Sequence, residues 1–325
     1  MATFDVETLV AGIKAGESRA IAQGISAIED ETYDTDHLIS SLPPSPNCVR
    51  IGVTGATGVG KSSLLARIVP SLLERGERVA VLAVDPTSPL SGGALLADRV
   101  RMPADLGSGA FFRSVASRHG SGGVAACTDD AAELLARAGF SIVLVETVGV
   151  GQLDMEVAEE TDDVWLLLSP ESGDVMQLLK SGVLEVANQL VIHKGDRPGA
   201  GRLLRLAEEM CREQEAPAPL MVSSRDDAGV DELVERLLDR VEGIRRAPDA
   251  GSERRRLLRR LRRATEKRWI SQGLDRAGGE DSFEQIAGEI LSQRLTIQEA
   301  LDRLAPPGEM KFCRATAGGS GRKTT

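Results

Sequence analysis

Eight consecutive residues, Gly55-Ala56-Thr57-Gly58-Val59-Gly60-Lys61-Ser62, join a glycine-rich turn to an amine and a hydroxyl. This spacing lets backbone N–H groups wrap a polyphosphate, because side chains in place of the glycines would collide with phosphate or forbid the backbone angles. The residues from Gly55 to Ser63 would then surround the ligand, with Lys61 on the outer phosphates and the Ser62 hydroxyl on Mg²⁺. A glycine-rich turn that merely carries a lysine is the plainer alternative. The flanks argue against it: Cys48 to Val53 alternates like a buried strand and Ser63 to Val69 has helical spacing, the strand-loop-helix context that the chemistry requires.

Further candidate groups follow other apolar runs. Val79 to Val84 is continuously apolar, as expected of a parallel strand covered on both faces, and ends in Asp85-Pro86. A carboxylate there can hold Mg²⁺ or its waters, or simply open a proline turn. Phe140 to Val145 ends in Glu146-Thr147-Val148-Gly149. An acid, two residues and a glycine at a strand's end is the pattern that senses a γ-phosphate, the acid facing Mg²⁺ and the glycine N–H the phosphate. Val150 fills the slot where a water-orienting Gln would stand, and Gln152 is the nearest substitute. Gln189 to Ile192 ends in His193-Lys194-Gly195-Asp196, close to the Asn-Lys-x-Asp signature for guanine. Asp196 would accept from guanine's imino and amino groups while the Lys194 stem lies along the base; adenine offers no such donor pair. His193 in place of Asn leaves guanine favoured over adenine without settling it. Ser223-Ser224, after a short strand at Leu220 to Val222, would complete the base pocket.

These groups need a scaffold. The spacing predicts an α/β nucleotide domain over 47–245. Before it, residues 1–46 read as a helical appendage closed by Pro43-Pro44-Ser45-Pro46; after it come a helical region, 246–312, and a disordered tail, 313–325. Glycine and serine density predicts mobile loops over Ser91 to Met102 and from Phe111 to Ser114 into Ser117 to Val124. His119 in the latter reads as an exposed loop residue rather than a catalytic base. Ser169 to Gly182 brings polar groups above the same sheet edge, or is an ordinary connection. The run Glu253 to Arg263 sets leucines on one helical face among arginines, as in a surface helix or dimer contact rather than a nucleic-acid or membrane site.

A net charge of −10 argues against a general nucleic-acid binder. No apolar run approaches the ~20 residues of a membrane span and the amino terminus lacks signal-peptide features, so the expected setting is the cytoplasm without membrane contact. The four scattered cysteines read as reduced thiols.

Together these motifs resemble the MeaB/ArgK family of P-loop GTPases, chaperones of adenosylcobalamin-dependent acyl-CoA mutases. The match is carried by the phosphate loop, Val81 to Pro89 with Ser91-Gly92-Gly93, Gly122 to Ala125, and above all Val143-Leu144-Val145-Glu146-Thr147-Val148-Gly149-Val150-Gly151-Gln152. The resemblance implies a P-loop NTPase fold with a mostly parallel central sheet, GTP/GDP as ligand, and Mg²⁺ held around Ser62, Asp85, Asp98 and Glu146. It implies catalysis through Lys61, Gly149 and Gln152, a partner-coupling loop containing Asp174, Gln177 and Lys180, and homodimerisation through the carboxy-terminal helices. Gating of cofactor loading or protection on the mutase is the function it points to. His193 and Gly195 depart from the family's Asn-Lys-Ala-Asp, and Ser117 to Ser121 from a more regular loop, which leaves room for a different client mutase. A kinase of a transport protein and a metal-insertion GTPase are the alternatives. Asp196 and the lack of an acceptor-binding domain weigh against the first, and the lack of a His- or Cys-rich stretch against the second.

Overall fold

Short apolar runs bounded by glycine or polar turns build one seven-stranded sheet in the computed structural model. It describes residues 6–30, 35–45, 47–86, 109–117, 123–147, 160–172, 187–277 and 280–292, with a few positions up to 300. The strands are β1 (Val49–Gly55), β2 (Val79–Pro86), β3 (Ala110–Ser117), β4 (Ile142–Glu146), β5 (Asp163–Leu168), β6 (Gln189–Ile192) and β7 (Leu220–Met221). Their order is β3-β2-β4-β1-β5-β6-β7 and every pairing is parallel. All carboxyl ends therefore meet along one edge, where open α/β sheets bind ligands.

Alternation along the strands divides the core. Val49, Ile51, Val53, Ile142, Leu144, Trp165 and Leu167 pack with helices α4 (Lys61–Glu74) and α7 (Val230–Arg246) on one face. On the other, Ala80, Leu82, Val84, Val143 and Val145 pack with α1 (Val6–Lys14), α2 (Ser18–Glu29) and α5 (Gly123–Arg137). Leu166, Leu168, Leu190 and Ile192 meet α6 (Ala200–Glu213). The amino-terminal helices expected from spacing form, and α3 (Thr35–Ser40) follows them. Ile13, Ile21 and Ile25 are fully buried in the shared core.

One expectation fails at Phe111 to Ser114, read as part of a loop but forming the body of β3. The strand pairs with β2 over its whole length, Val79 opposite Ala110 through Pro86 opposite Ser117. Phe111 and Val115 enter the core beside α2. Arg113 on that same side donates from Nη2 to Ser26 Oγ at 2.9 Å and to Glu29 Oε2 at 2.6 Å.

A buried charge network fixes β1 to α5. Arg50, 5% exposed, donates to Asp129 and Glu133 at 2.6 Å each, and Glu133 also pairs with Arg137 at 2.6 Å. Asp162, just before β5, accepts from the Arg50 backbone N–H and from Arg256 on α8 (Ala250–Ala277). Beside this network burial pushes the Cys48 thiol up to about 12.

The chain divides into two compact units, Met1–Arg260 and Leu261–Thr325; the second holds the remainder of α8 and α9 (Glu280–Leu291). Among the described residues no helix is long and apolar enough to cross a membrane.

Candidate functional site

The phosphate loop leaves β1 at the middle of the sheet. Gly55 has φ 141°, and a Cβ there would lie 2.3 Å from the Leu167 carbonyl oxygen, so only glycine lets β1 pass this close to β5. Gly60 has φ 105° and stands at the N-cap of α4, which carries no side-chain cap. The first turn of α4 thus directs its N–H groups into the loop, an arrangement that attracts anions.

Lys61 is 6% exposed and its Nζ donates to the Gly55 carbonyl at 2.7 Å and the Ala56 carbonyl at 3.3 Å. The ammonium is therefore folded back over the loop it would share with phosphate. Next to it the Ser62 hydroxyl donates to Glu146 Oε1 at 2.6 Å. Parallel pairing of β1 with β4, Val53 opposite Glu146, brings the acid to the loop across 84 residues of sequence. Behind them Thr147 Oγ1 donates to Thr54 Oγ1 at 3.1 Å, joining the same two strand ends. A hydroxyl and a buried carboxylate, both oxygen donors, are the ligand types that Mg²⁺ takes. The donor set at Ser62 and Glu146 fits that ion.

Asp85 lies at the end of β2, in register with Ala116, on the same edge; its side chain is outside the described residues. Asp98, Gly149, Gln152, Asp174, Gln177, Lys180 and His119 also lie outside them.

The base-recognition segment follows β6. Asp196 Oδ1 accepts from Ser223 Oγ at 3.0 Å, and the Arg197 and Arg225 guanidiniums stand 3.7 and 3.6 Å from its Oδ2. Burial raises the Asp196 pKa, but the Ser223 hydrogen bond and the nearby cations outweigh it and keep the carboxyl below the usual range. An ionised carboxylate at this edge is the acceptor that guanine's paired donors require. Lys194 has φ 56° and its Nζ donates to Glu171 Oε2 at 2.7 Å. Gly195 N–H donates to the Val222 carbonyl at 2.9 Å and Val222 N–H to the Ile192 carbonyl at 2.8 Å, so the ends of β6 and β7 are stitched together.

Both ring nitrogens of His193 are engaged within the protein. The residue is 3% exposed, with Nδ1 2.8 Å from the Val59 carbonyl and Nε2 2.7 Å from Ser224 Oγ. Burial is the main cause of its lowered pKa, with Lys194 adding to it and the Val59 carbonyl and Asp196 opposing it. Sequence reading did not find the partnerships of His193 with Val59 and Ser224, or of Glu171 with Lys194. None of these contacts has a local sequence signal.

Comparison with known proteins agrees with this geometry. Residues 18–276 match the family model described as methylmalonyl-CoA mutase-associated GTPase MeaB. GTPase ArgK of Escherichia coli is 35% identical over 243 residues, covering 70% of this chain and 73% of that protein. The mouse mitochondrial methylmalonic aciduria type A homolog is 32% identical over 257 residues, covering 70% of this chain and 61% of that protein. Two Pyrococcus relatives, from P. horikoshii and P. abyssi, are each 39% identical over 197 residues, and the match spans only 62% and 61% of their lengths. Among solved structures, a LAO/AO transport system kinase superposes with a TM-score of 0.62 at 24% identity, covering 92% of this chain and 96% of that one, a likeness of fold. With a P-loop at the centre of a parallel sheet and a family match over most of its length, the chain belongs to the family of methylmalonyl-CoA mutase-associated GTPases, MeaB.

Proposed function

We propose that the chain binds and slowly hydrolyses GTP, and that this cycle gates adenosylcobalamin loading or protection on an adenosylcobalamin-dependent acyl-CoA mutase. The observation that carries the nucleotide part is the meeting of Lys61, Ser62 and Glu146 at one sheet edge, with Asp196 and Ser223 hydrogen-bonded to each other in the turns that follow β6 and β7. The client is supported by the family's description.

In this reading the loop N–H groups and the start of α4 hold the phosphates, and Lys61 exchanges the Gly55 and Ala56 carbonyls for phosphate oxygens. Asp196 accepts from guanine, oriented by Ser223. Bound at Ser62 and Glu146, with Asp85 and Asp98 as further candidate carboxylates, Mg²⁺ would neutralise charge developing on the phosphates. Water attacks the γ-phosphorus in line, GDP leaves, and the backbone of Gly149 touches the transferred phosphate. Val150 gives the attacking water no side-chain partner, and Gln152, two residues further along the sequence, is the candidate substitute. Turnover is therefore low and rises when a client engages the segment carrying Asp174, Gln177 and Lys180. Self-association is supported by α8, where Leu257, Leu261 and Trp269 are each at least 60% exposed. The expected setting is the cytoplasm.

Phosphate release from GTP, measured with and without the cognate mutase, tests the proposal. Stimulation by the mutase supports it, and equal rates reject the gating role. Lys61→Ala should abolish nucleotide binding or hydrolysis; wild-type hydrolysis in that variant rejects the phosphate-loop assignment. Phosphate appearing on a protein acceptor instead of in solution would favour a kinase.

A further inference from the structure

The substitution of His for the expected Asn at position 193 is the most informative departure at the site. If the imidazole lined the base pocket it would alter which base binds. Both ring nitrogens are instead engaged within the protein, one on the phosphate loop and one on the turn after β7.

The chemistry of the two partners fixes the roles. A carbonyl can only accept, so Nδ1 carries the proton and donates to Val59 O. Nε2 is then the acceptor for the Ser224 hydroxyl. The same turn is held from the other side, where Arg67 Nε of α4 donates to the Ser224 carbonyl at 3.1 Å. The ring also closes the space above the loop: a Cβ on Gly60 would meet its Cε1 and Nδ1 at 2.5 Å. Val59, Gly60, His193 and Ser224 thus form one packed joint between β1, β6 and β7.

We infer that His193 is a positioning residue that buckles the phosphate loop to both base-recognition turns, so that affinity for the whole nucleotide depends on its ring while guanine preference does not. The inference rests on the GTP-binding reading above and adds a division of labour to it: Asp196 selects the base and His193 holds the distance between base site and phosphate site. Covalent geometry gives the two arms different replacements. An Asn amide nitrogen can occupy the place of Nδ1 and restore the bond to Val59. It cannot reach the place of Nε2, so the Ser224 bond is lost.

The test is titration of the full-length protein with fluorescent GDP and with the corresponding inosine diphosphate, which lacks the exocyclic amine. Both affinity and the fraction of competent sites are recorded. At about 5-fold for each lost hydrogen bond, His193→Ala should weaken both nucleotides about 25-fold and His193→Asn only about 5-fold. Ser224→Ala should cost about 5-fold in the wild-type background and nothing further beside His193→Asn. The ratio of GDP to inosine diphosphate affinity should stay constant in all of these variants and collapse in Asp196→Ala. Wild-type affinity in His193→Ala overturns the inference. So does a loss confined to the fraction of competent sites, additive losses for His193→Asn and Ser224→Ala, or a changed base ratio in the His193 variants. Failure of the wild type itself to bind GDP saturably, or undiminished binding by Lys61→Ala, overturns the GTP-binding reading and the inference with it.

Discussion

Replacing Arg50 by Leu tests how the site is held from behind. Arg50 is the second residue of β1, the strand that delivers the phosphate loop, and its side chain is 6% exposed. The guanidinium pairs at 2.6 Å with Asp129, 1% exposed, and at 2.6 Å with Glu133, 21% exposed. Burial would lower the Arg50 pKa, but Asp129 and Glu133 outweigh it and push it above its ordinary range. Leucine takes the cation away while the Asp129 charge stays in the interior, a change that costs about 3–5 kcal/mol. That is a large share of the roughly 5–15 kcal/mol that holds a domain folded. Glu133 keeps Arg137 and is 21% exposed, so the larger loss falls on Asp129, the more deeply buried of the two. Arg50→Leu combined with Asp129→Leu should therefore recover most of the stability, because a well-packed apolar pair can replace a buried ion pair at little cost. Urea denaturation is the appropriate assay, since guanidinium salts would screen the charges. Acid gives a second signature. Burial raises the Glu133 pKa, but Arg50 and Arg137 outweigh it and hold it below the usual carboxylate range. Its stabilisation is thus complete above about 4.5 and lost as pH falls through the depressed value. The gap between wild type and Arg50→Leu should narrow in acid. A single-variant loss below about 1 kcal/mol, or a double variant no more stable than the single, would refute the reasoning.

Two further outcomes follow. Asp196→Asn replaces an acceptor-only group by one that also donates, so GTP affinity should fall and xanthosine triphosphate, which offers a carbonyl in place of guanine's amine, should gain; competition binding of the two nucleotides reads this directly. Burial keeps His193 below its ordinary pKa of 6.5, so the unfolded chain binds the extra proton and stability should decline as pH drops through that value toward the folded pKa. Urea midpoints at mildly acidic and neutral pH should show the decline in wild type and a weaker one in His193→Asn.

The central strands are legible in the sequence because each is buried on both faces and reads as a continuous apolar run, as at Val79 to Val84 and Val164 to Leu168. β3 is an edge strand, and there the pattern weakens: Arg113 interrupts the apolar side, and the groups that accept from its Nη2, Ser26 and Glu29, lie 87 and 84 residues away. No local window contains the reason Arg113 can face a core. The site divides in the same way. Lys61 and Ser62 were readable because a phosphate loop is one uninterrupted stretch whose chemistry depends on neighbours in sequence. Asp196 is legible as a candidate acceptor because a carboxylate just past the end of a strand needs no distant partner to be recognised. His193 looked like a lapse in a base-recognition signature, because its partners, Val59 and Ser224, are 134 and 31 residues distant. Sequence spacing reports what a residue can offer, and the sheet order decides to whom. β6 lies two strands from β1, and the imidazole reaches the phosphate-loop backbone from its end. A residue that weakens a motif when read along the chain can therefore strengthen the site when the strands are set side by side.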